Sequence, residues 1–223
     1  MIDSIVFDLD GTLIDSLPDV QASLNRLLSD KNRASLSLGE LKKLIGHGVY
    51  PMIAGAFKLT GRPIVTKSQL EEAAQQYLLY YRENPVGHTV VYPDVIDTLR
   101  KLKANGFTLG VCTNKPYEIS TLILQALGID SLFDGVSGGD NYPFVKPDSR
   151  HVLYTLELMK SEPDRAAMVG DSHVDGEASR KAGLPFILVT YGYALQKKEL
   201  LKANKAIGEF KMLPKIITEL SAH

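Results

Sequence analysis

The chain has 223 residues, 44 % hydrophobic and 23 % charged, enough to bury a full core in one domain, with or without a small accessory domain. Its 25 Lys and Arg against 26 Asp and Glu leave a formal net charge of -1, which gives no support to nucleic-acid binding through a basic face. The lone cysteine, Cys112, excludes an intrachain disulfide or a cysteine-built zinc site, and no stretch approaches the roughly 20 apolar residues of a membrane span.

The opening residues, MIDSIVFDLDG, carry acids at Asp3, Asp8 and Asp10 where a signal peptide needs a basic start, so a cytoplasmic protein is expected. Ile2 to Asp8 holds a short apolar, β-branched run that breaks at Gly11, which predicts a buried strand ending in a polar loop. Between Ser16 and Tyr81 the period becomes helical. Val20, Leu24, Leu27 and Leu28 share one face, and further helical pieces lie around Leu41 to Ile45, Pro51 to Leu59 and Ser68 to Tyr81.

From Tyr92 the chain alternates. A helix carrying Val95, Ile96, Leu99 and Leu102 precedes the strand FTLGVCT (107–113), and a helix carrying Ile119, Leu122, Ile123, Ala126 and Leu127 precedes a strand from Phe133 to Ser137. Another helical stripe of Val152, Leu153, Leu156 and Met159 leads to the strand RAAMVGD (165–171), a helix from about Asp175 to Ala182, and the strand PFILVT (185–190). Such alternation predicts an α/β fold, a parallel sheet with helices on both faces. The expected organisation is a Rossmann-like core of residues 1–15 and 88–223, interrupted by a small helical domain at 16–87.

Parallel sheets carry their ligands just beyond the carboxyl ends of the strands. Those ends supply Asp8 and Asp10, then Thr113 and Asn114, then Lys146, then Asp171 and Asp175. Each group alone has an ordinary reading: a solvated Asx turn, a helix N-cap, a surface lysine. Together they offer a carboxylate nucleophile, oxygen ligands for a hard cation such as Mg²⁺, a fixed positive charge and a hydroxyl donor. Phosphoryl transfer needs these parts, because most of its catalysis is positioning and neutralising phosphoryl oxygens.

With these motifs in order, the sequence resembles the haloacid dehalogenase superfamily, and within it the phosphoglycolate phosphatase group. The carriers are Asp8-Leu9-Asp10-Gly11-Thr12, Thr113 in GVCTNKP, Lys146 in VKPD, and Gly170-Asp171 with Asp175 in GDSHVDGEASRKAG. The resemblance implies that Asp8 is the nucleophile and forms an aspartyl-phosphate. Asp10 then protonates the leaving alkoxide and activates the hydrolytic water. It further implies Mg²⁺ held by Asp8, Asp171, the Asp10 main-chain carbonyl and Asp175, directly or through water. Thr113 and Asn114 would meet the phosphoryl group, and Lys146 would hold it against Asp8. The implied substrate is a small phosphorylated metabolite, foremost 2-phosphoglycolate. Alternatives are a nucleoside monophosphate, a sugar phosphate or pyrophosphate, a phosphosugar mutase activity, or a non-catalytic binding module. The text departs from the family's usual one at Val174, Ser149 and YPDV (92–95), with His173 expected in an exposed loop.

By the same resemblance, residues 16–87 form a cap that excludes water and reads the leaving group. Its Gly46-His47-Gly48 turn, just before a helix, is either an interhelical turn or a carboxylate-binding specificity loop. Tyr77, Tyr80 and Tyr81 fall at helical spacing and are expected to pack, as is Cys112 within its strand.

Overall fold

Strand β1 (Ser4–Phe7) is buried at every residue, as expected of a strand covered on both faces. In this computed structural model, which describes residues 1–193 and 203–221, it is followed by β2 (Ile14–Asp15) and by helices α1 (Leu17–Asp30), α2 (Leu38–Leu41), α3 (Val49–Leu59) and α4 (Lys67–Glu83). Next come β3 (Val90–Val91), α5 (Val95–Ala104), β4 (Thr108–Cys112), α6 (Tyr117–Ala126), β5 (Gly135–Ser137) and α7 (Ser149–Leu158). The remaining elements are β6 (Ala166–Gly170), α8 (His173–Ala182), β7 (Phe186–Val189), β8 (Lys205–Ile207) and α9 (Leu213–Ser221). The chain divides into two compact units, Met1–Asp15 with Val91–His223, and Ser16–Val90. Among the described residues no helix is long and apolar enough to cross a membrane.

The first unit is built on a parallel six-stranded sheet in the order β5-β4-β1-β6-β7-β8. The chain starts in the middle, adds β4 and β5 on one side, then crosses back to add β6, β7 and β8 on the other. The strand order therefore reverses beside β1, which opens a crevice at the carboxyl end of that strand. Val6, Met168 and Phe186 lie in lateral register and share a face with Cys112, packed against Val152 and Leu156 of α7 and Ala178 of α8. On the opposite face Phe7 meets Phe133 edge-on at 6.5 Å and Phe210 at 5.9 Å.

Three elements of this unit depart from expectation. The strand expected from Phe133 begins only at Gly135, because a tight turn at Asp130–Leu132 delays it. Asp134 is instead an anchor whose N–H donates to the Leu109 carbonyl and whose carboxylate accepts from the Leu109 N–H. The last strand and helix, β8 and α9, were not foreseen. Three residues of partly exposed edge strand carry too little periodicity to be read from sequence.

The second unit is helical. Leu24, Leu27 and Leu28 of α1, Ile53, Ala56 and Phe57 of α3, and Ala73, Ala74, Tyr77 and Tyr81 of α4 are buried. The Tyr77 and Tyr81 rings lie 5.8 Å apart as packing residues, whereas Tyr80 donates its hydroxyl to Asp30 under the Arg26 guanidinium. Capping boxes at Ser37/Glu40 and Thr66/Gln69 start α2 and α4. At the end where the unit begins and closes, the buried Asp19 carboxylate accepts from His88 N–H at 2.9 Å, Thr89 N–H at 2.7 Å and Thr89 Oγ1 at 2.6 Å. Burial raises its pKa, but the bonds from Thr89 and His88 outweigh that and hold it below the usual carboxylate range.

The central strand gives a direct stability test. Ile5 is fully buried between Leu109 and Ala167, its partners in β4 and β6. Ile5→Ala should lower the unfolding free energy by about 2–5 kcal/mol in urea titration, through lost burial and the cavity left behind.

Candidate active site

Asp8 is the first residue past β1, and its N–H donates to the Val169 carbonyl of β6, which sets the direction in which the strand ends. The following turn closes through Gly11 at φ +84°, where a Cβ would lie 2.3 Å from Asp171 Oδ2. Only glycine lets this turn approach the neighbouring carboxylate so closely. Asp171 follows β6, and its Oδ2 accepts from the Tyr193 N–H at 2.6 Å. Asp175, in the first turn of α8, accepts through Oδ2 from Ser172 N–H at 3.0 Å and Ser172 Oγ at 2.5 Å.

Lys146 joins these groups. Its Nζ lies 2.7 Å from Asp8 Oδ1 and 2.7 Å from Asp175 Oδ1, and it donates to the Cys112 carbonyl at 2.6 Å. The side chain is 1 % exposed, so two hydrogen bonds, to Asp8 and Cys112, and the ion pair with Asp175 replace water. Asn114 holds the backbone that carries it. Lys146 N–H donates to Asn114 Oδ1 at 2.9 Å, and Asn114 Nδ2 donates to the Lys146 carbonyl at 2.8 Å.

Asn114 is thus a framework residue whose amide grips the Lys146 main chain at both ends. Thr113 and Asn114 do not cap α6. Its N-cap is Pro116, and the first helical N–H, of Tyr117, donates to Asp140 Oδ1 at 2.7 Å. Thr113 is buried at the end of β4, with its N–H on the Ser137 carbonyl and its Oγ1 accepting from the Lys115 N–H. His173 is exposed but opens helix α8 and is not in a loop.

One charged residue of the site was passed over in the sequence. Lys115 is buried, and its Nζ reaches Asp10 Oδ1 at 2.7 Å and Oδ2 at 3.0 Å. The available signal was its position: a lysine just past a strand end, on the edge where Asp8, Asp10, Thr113, Lys146 and Asp171 gather. Asp8 and Asp10, two residues apart, thus face two different ammonium groups. Gly46, His47 and Gly48 belong to the helical unit, in the turn that leads into α3.

Ligand oxygens of Asp8, Asp171 and Asp175 all lie within 4.8 Å of one another. Burial pushes the Asp8 carboxyl up, Lys146 offsets part of that, and Asp175 adds to it, so it stands at about 7. Asp171 is pushed well above the usual range by burial and then by Asp8 and Asp175. Burial weakens the Lys146 ammonium, but Asp175 and Asp8 outweigh this and raise its pKa. Crowded buried carboxylates with all-oxygen donors and a surplus of negative charge fit a hard divalent cation, which would restore their ordinary acidity.

Open parallel α/β sheets bind their ligands in the crevice at the strand-order reversal, and these acids gather there. Residues 5–189 match the family model described as haloacid dehalogenase-like hydrolase, and the chain belongs to that family. It is 37 % identical over 206 residues to the phosphoglycolate phosphatase of Aquifex aeolicus, covering 92 % of this chain and 90 % of that one. Identity to the phosphoglycolate phosphatase of Agrobacterium fabrum is 35 % over 214 residues, 96 % of this chain and 91 % of the relative. Among solved structures, a predicted phosphoglycolate phosphatase from Haemophilus somnus 129pt superposes with a TM-score of 0.89 at 34 % identity, covering 96 % of this chain and 97 % of that one.

The raised acids make stability depend on pH and on cation. Asp8 and Asp171 bind protons more tightly folded than unfolded, so their contribution is full below the unfolded value near 3.8 and is lost as pH rises through the folded values, about 7 for Asp8. Buried His151, lowered to about 4 by burial and by Lys146, acts in the opposite sense, but only below the ordinary imidazole value of 6.5. Between pH 6.5 and 8.5 the chelator-treated protein should therefore lose thermal stability as pH rises. Differential scanning fluorimetry should show a divalent cation restoring more at pH 8.5 than at pH 6.5.

Proposed function

We propose that the chain is a Mg²⁺-dependent phosphomonoester hydrolase that works through an aspartyl-phosphate on Asp8, with 2-phosphoglycolate as its substrate. The observation that carries this reading is the buried Lys146 ammonium, held at 2.7 Å from both Asp8 and Asp175 at the end of the central strand. It presents Asp8 as a carboxylate beside a fixed cation, where an anionic ester can be met without net repulsion.

In the first step an Asp8 oxygen bonds to phosphorus, the ester P–O bond breaks, and the departing alkoxide takes a proton from Asp10. In the second a water oxygen bonds to phosphorus, the P–O bond to Asp8 breaks with its electron pair returning to the carboxylate, and Asp10 accepts the water proton. Lys146 stabilises Asp8 and the phosphoryl oxygens throughout, and Thr113 contributes a hydroxyl donor. Asp8, Asp171, Asp175 and the Asp10 main-chain carbonyl would hold Mg²⁺, which when bound supplies charge neutralisation for the phosphoryl oxygens. A dehalogenase has no alkoxide to protonate, so Asp10 favours ester hydrolysis. Support for phosphoglycolate comes from the names of relatives 34–37 % identical over most of their length.

Asp8→Asn should abolish phosphoglycolate turnover while leaving the circular dichroism spectrum unchanged, since a neutral amide cannot act as the nucleophile. Residual activity within about tenfold of wild type would refute the covalent route, because loss of the nucleophile should cost several orders of magnitude.

For substrate choice we propose the turn Gly46-His47-Gly48. Both glycines have positive φ, +102° and +91°, and Gly48 is the N-cap of the 11-residue helix α3. A turn of this form offers main-chain N–H groups to a carboxylate. Gly48→Val should reduce kcat/KM for phosphoglycolate much more than for p-nitrophenyl phosphate, whose leaving group carries no carboxylate. Equal losses would assign the turn to folding or motion and not to recognition.

A further inference from the structure

We propose that Lys115 is the positioning residue of Asp10, fixing the direction in which its carboxylate points during hydrolysis of the phosphoenzyme. The inference rests on the acid–base reading of Asp10 given above and adds a residue which that reading does not contain.

The geometry is specific. Lys115 Nζ contacts both oxygens of Asp10, at 2.7 and 3.0 Å, which fixes the plane of the carboxylate as well as its location. The lysine side chain is 5 % exposed, so an Asp10 that turned away would break a two-oxygen ion pair with a buried ammonium. A lysine on a loose loop would follow its partner, but this one is anchored at the main chain. Its N–H donates to Thr113 Oγ1 at 3.1 Å and its carbonyl accepts from the Gly139 N–H at 2.8 Å.

The neighbouring residue extends the pattern. Asn114 fixes the backbone of Lys146, whose ammonium holds Asp8, while Lys115 holds Asp10 directly. A single turn after β4 therefore sets both carboxylates of the DLDGT segment, each against its own cation. Two acids only two residues apart would otherwise compete for Lys146. The second ammonium keeps Asp10 apart from Asp8, as required if one acid is to be phosphorylated while the other takes a proton from water.

With a leaving group that needs no proton, the inference predicts a defect confined to the second step. Rapid-quench assays with p-nitrophenyl phosphate and Mg²⁺ separate the steps, because p-nitrophenolate departs without needing a proton. Lys115→Met should release the first equivalent of p-nitrophenol at close to the wild-type rate. Steady-state turnover should then fall about 100-fold, the scale expected when a general base is misoriented, and phosphoenzyme should accumulate in the acid quench. Lys115→Arg should recover part of the steady-state rate, since a guanidinium can also engage both oxygens.

A purely structural role for Lys115 would lower the burst and the steady-state rate together, and that outcome would overturn the proposal. So would a Lys115→Met steady-state rate within twofold of wild type. Asp10→Asn is the control that separates the two levels. If it keeps its turnover, the acid–base reading itself falls. If it loses turnover while Lys115→Met does not, only the Lys115 assignment falls.

Discussion

A buried ammonium between two buried carboxylates is stable only while all three stay together, and the Lys146 contact with Asp8 and Asp175 has this character. Removing any partner would strand a charge in the interior. The surrounding framework serves that contact: β1 delivers Asp8, α8 delivers Asp175, and the Asn114 amide grips the Lys146 main chain from the neighbouring strand end. Lys146 also uses the Cys112 carbonyl, so even the last peptide of β4 is part of its shell.

The sheet order explains how residues so distant in sequence converge. Because β1 lies centrally, with β4 and β6 as its two neighbours, the loops after all three strands open on the same crevice. Asp8 precedes the helical insertion, whereas Thr113, Lys146 and Asp171 follow it. An insertion at this point leaves the sheet pairing untouched, because the chain re-enters with Tyr92 N–H bonded to the Leu13 carbonyl at 3.0 Å. The helical unit is likewise closed on itself by Asp19, which binds the segment His88–Thr89 just before the return.

Electrostatics gives the site its character. Asp8, Asp10, Asp171 and Asp175 face Lys115 and Lys146, an imbalance in a region with little water to screen it. The rise in the Asp8 and Asp171 pKa values expresses this strain, and the all-oxygen donor set is the form in which a hard cation relieves it. The two lysines are not equivalent. Lys146 is shared among several acceptors at the nucleophile, whereas Lys115 engages both oxygens of the neighbouring acid.

Sequence by itself determined the alternation of strands and helices, the helical block after β1 and the strand-end acids. These are local properties: a buried parallel strand must be apolar along its length, and an amphipathic helix must repeat its apolar face every third or fourth residue. The DLDGT and GDSHVDG segments stood out because acids and glycine at a strand end serve neither need. What lay beyond local pattern was decided by tertiary structure. The Asn114 amide is bonded to the Lys146 backbone, 32 residues away in the chain. Lys115 was passed over, because only the pairing of β1 with β4 carries it to Asp10, 105 residues earlier in the chain. Strand β8 was invisible because a three-residue edge strand is specified by the neighbour it pairs with and not by its own side chains. Periodicity records which side of an element is buried, but the partner that a polar side chain meets there depends on strand order, which no single segment encodes.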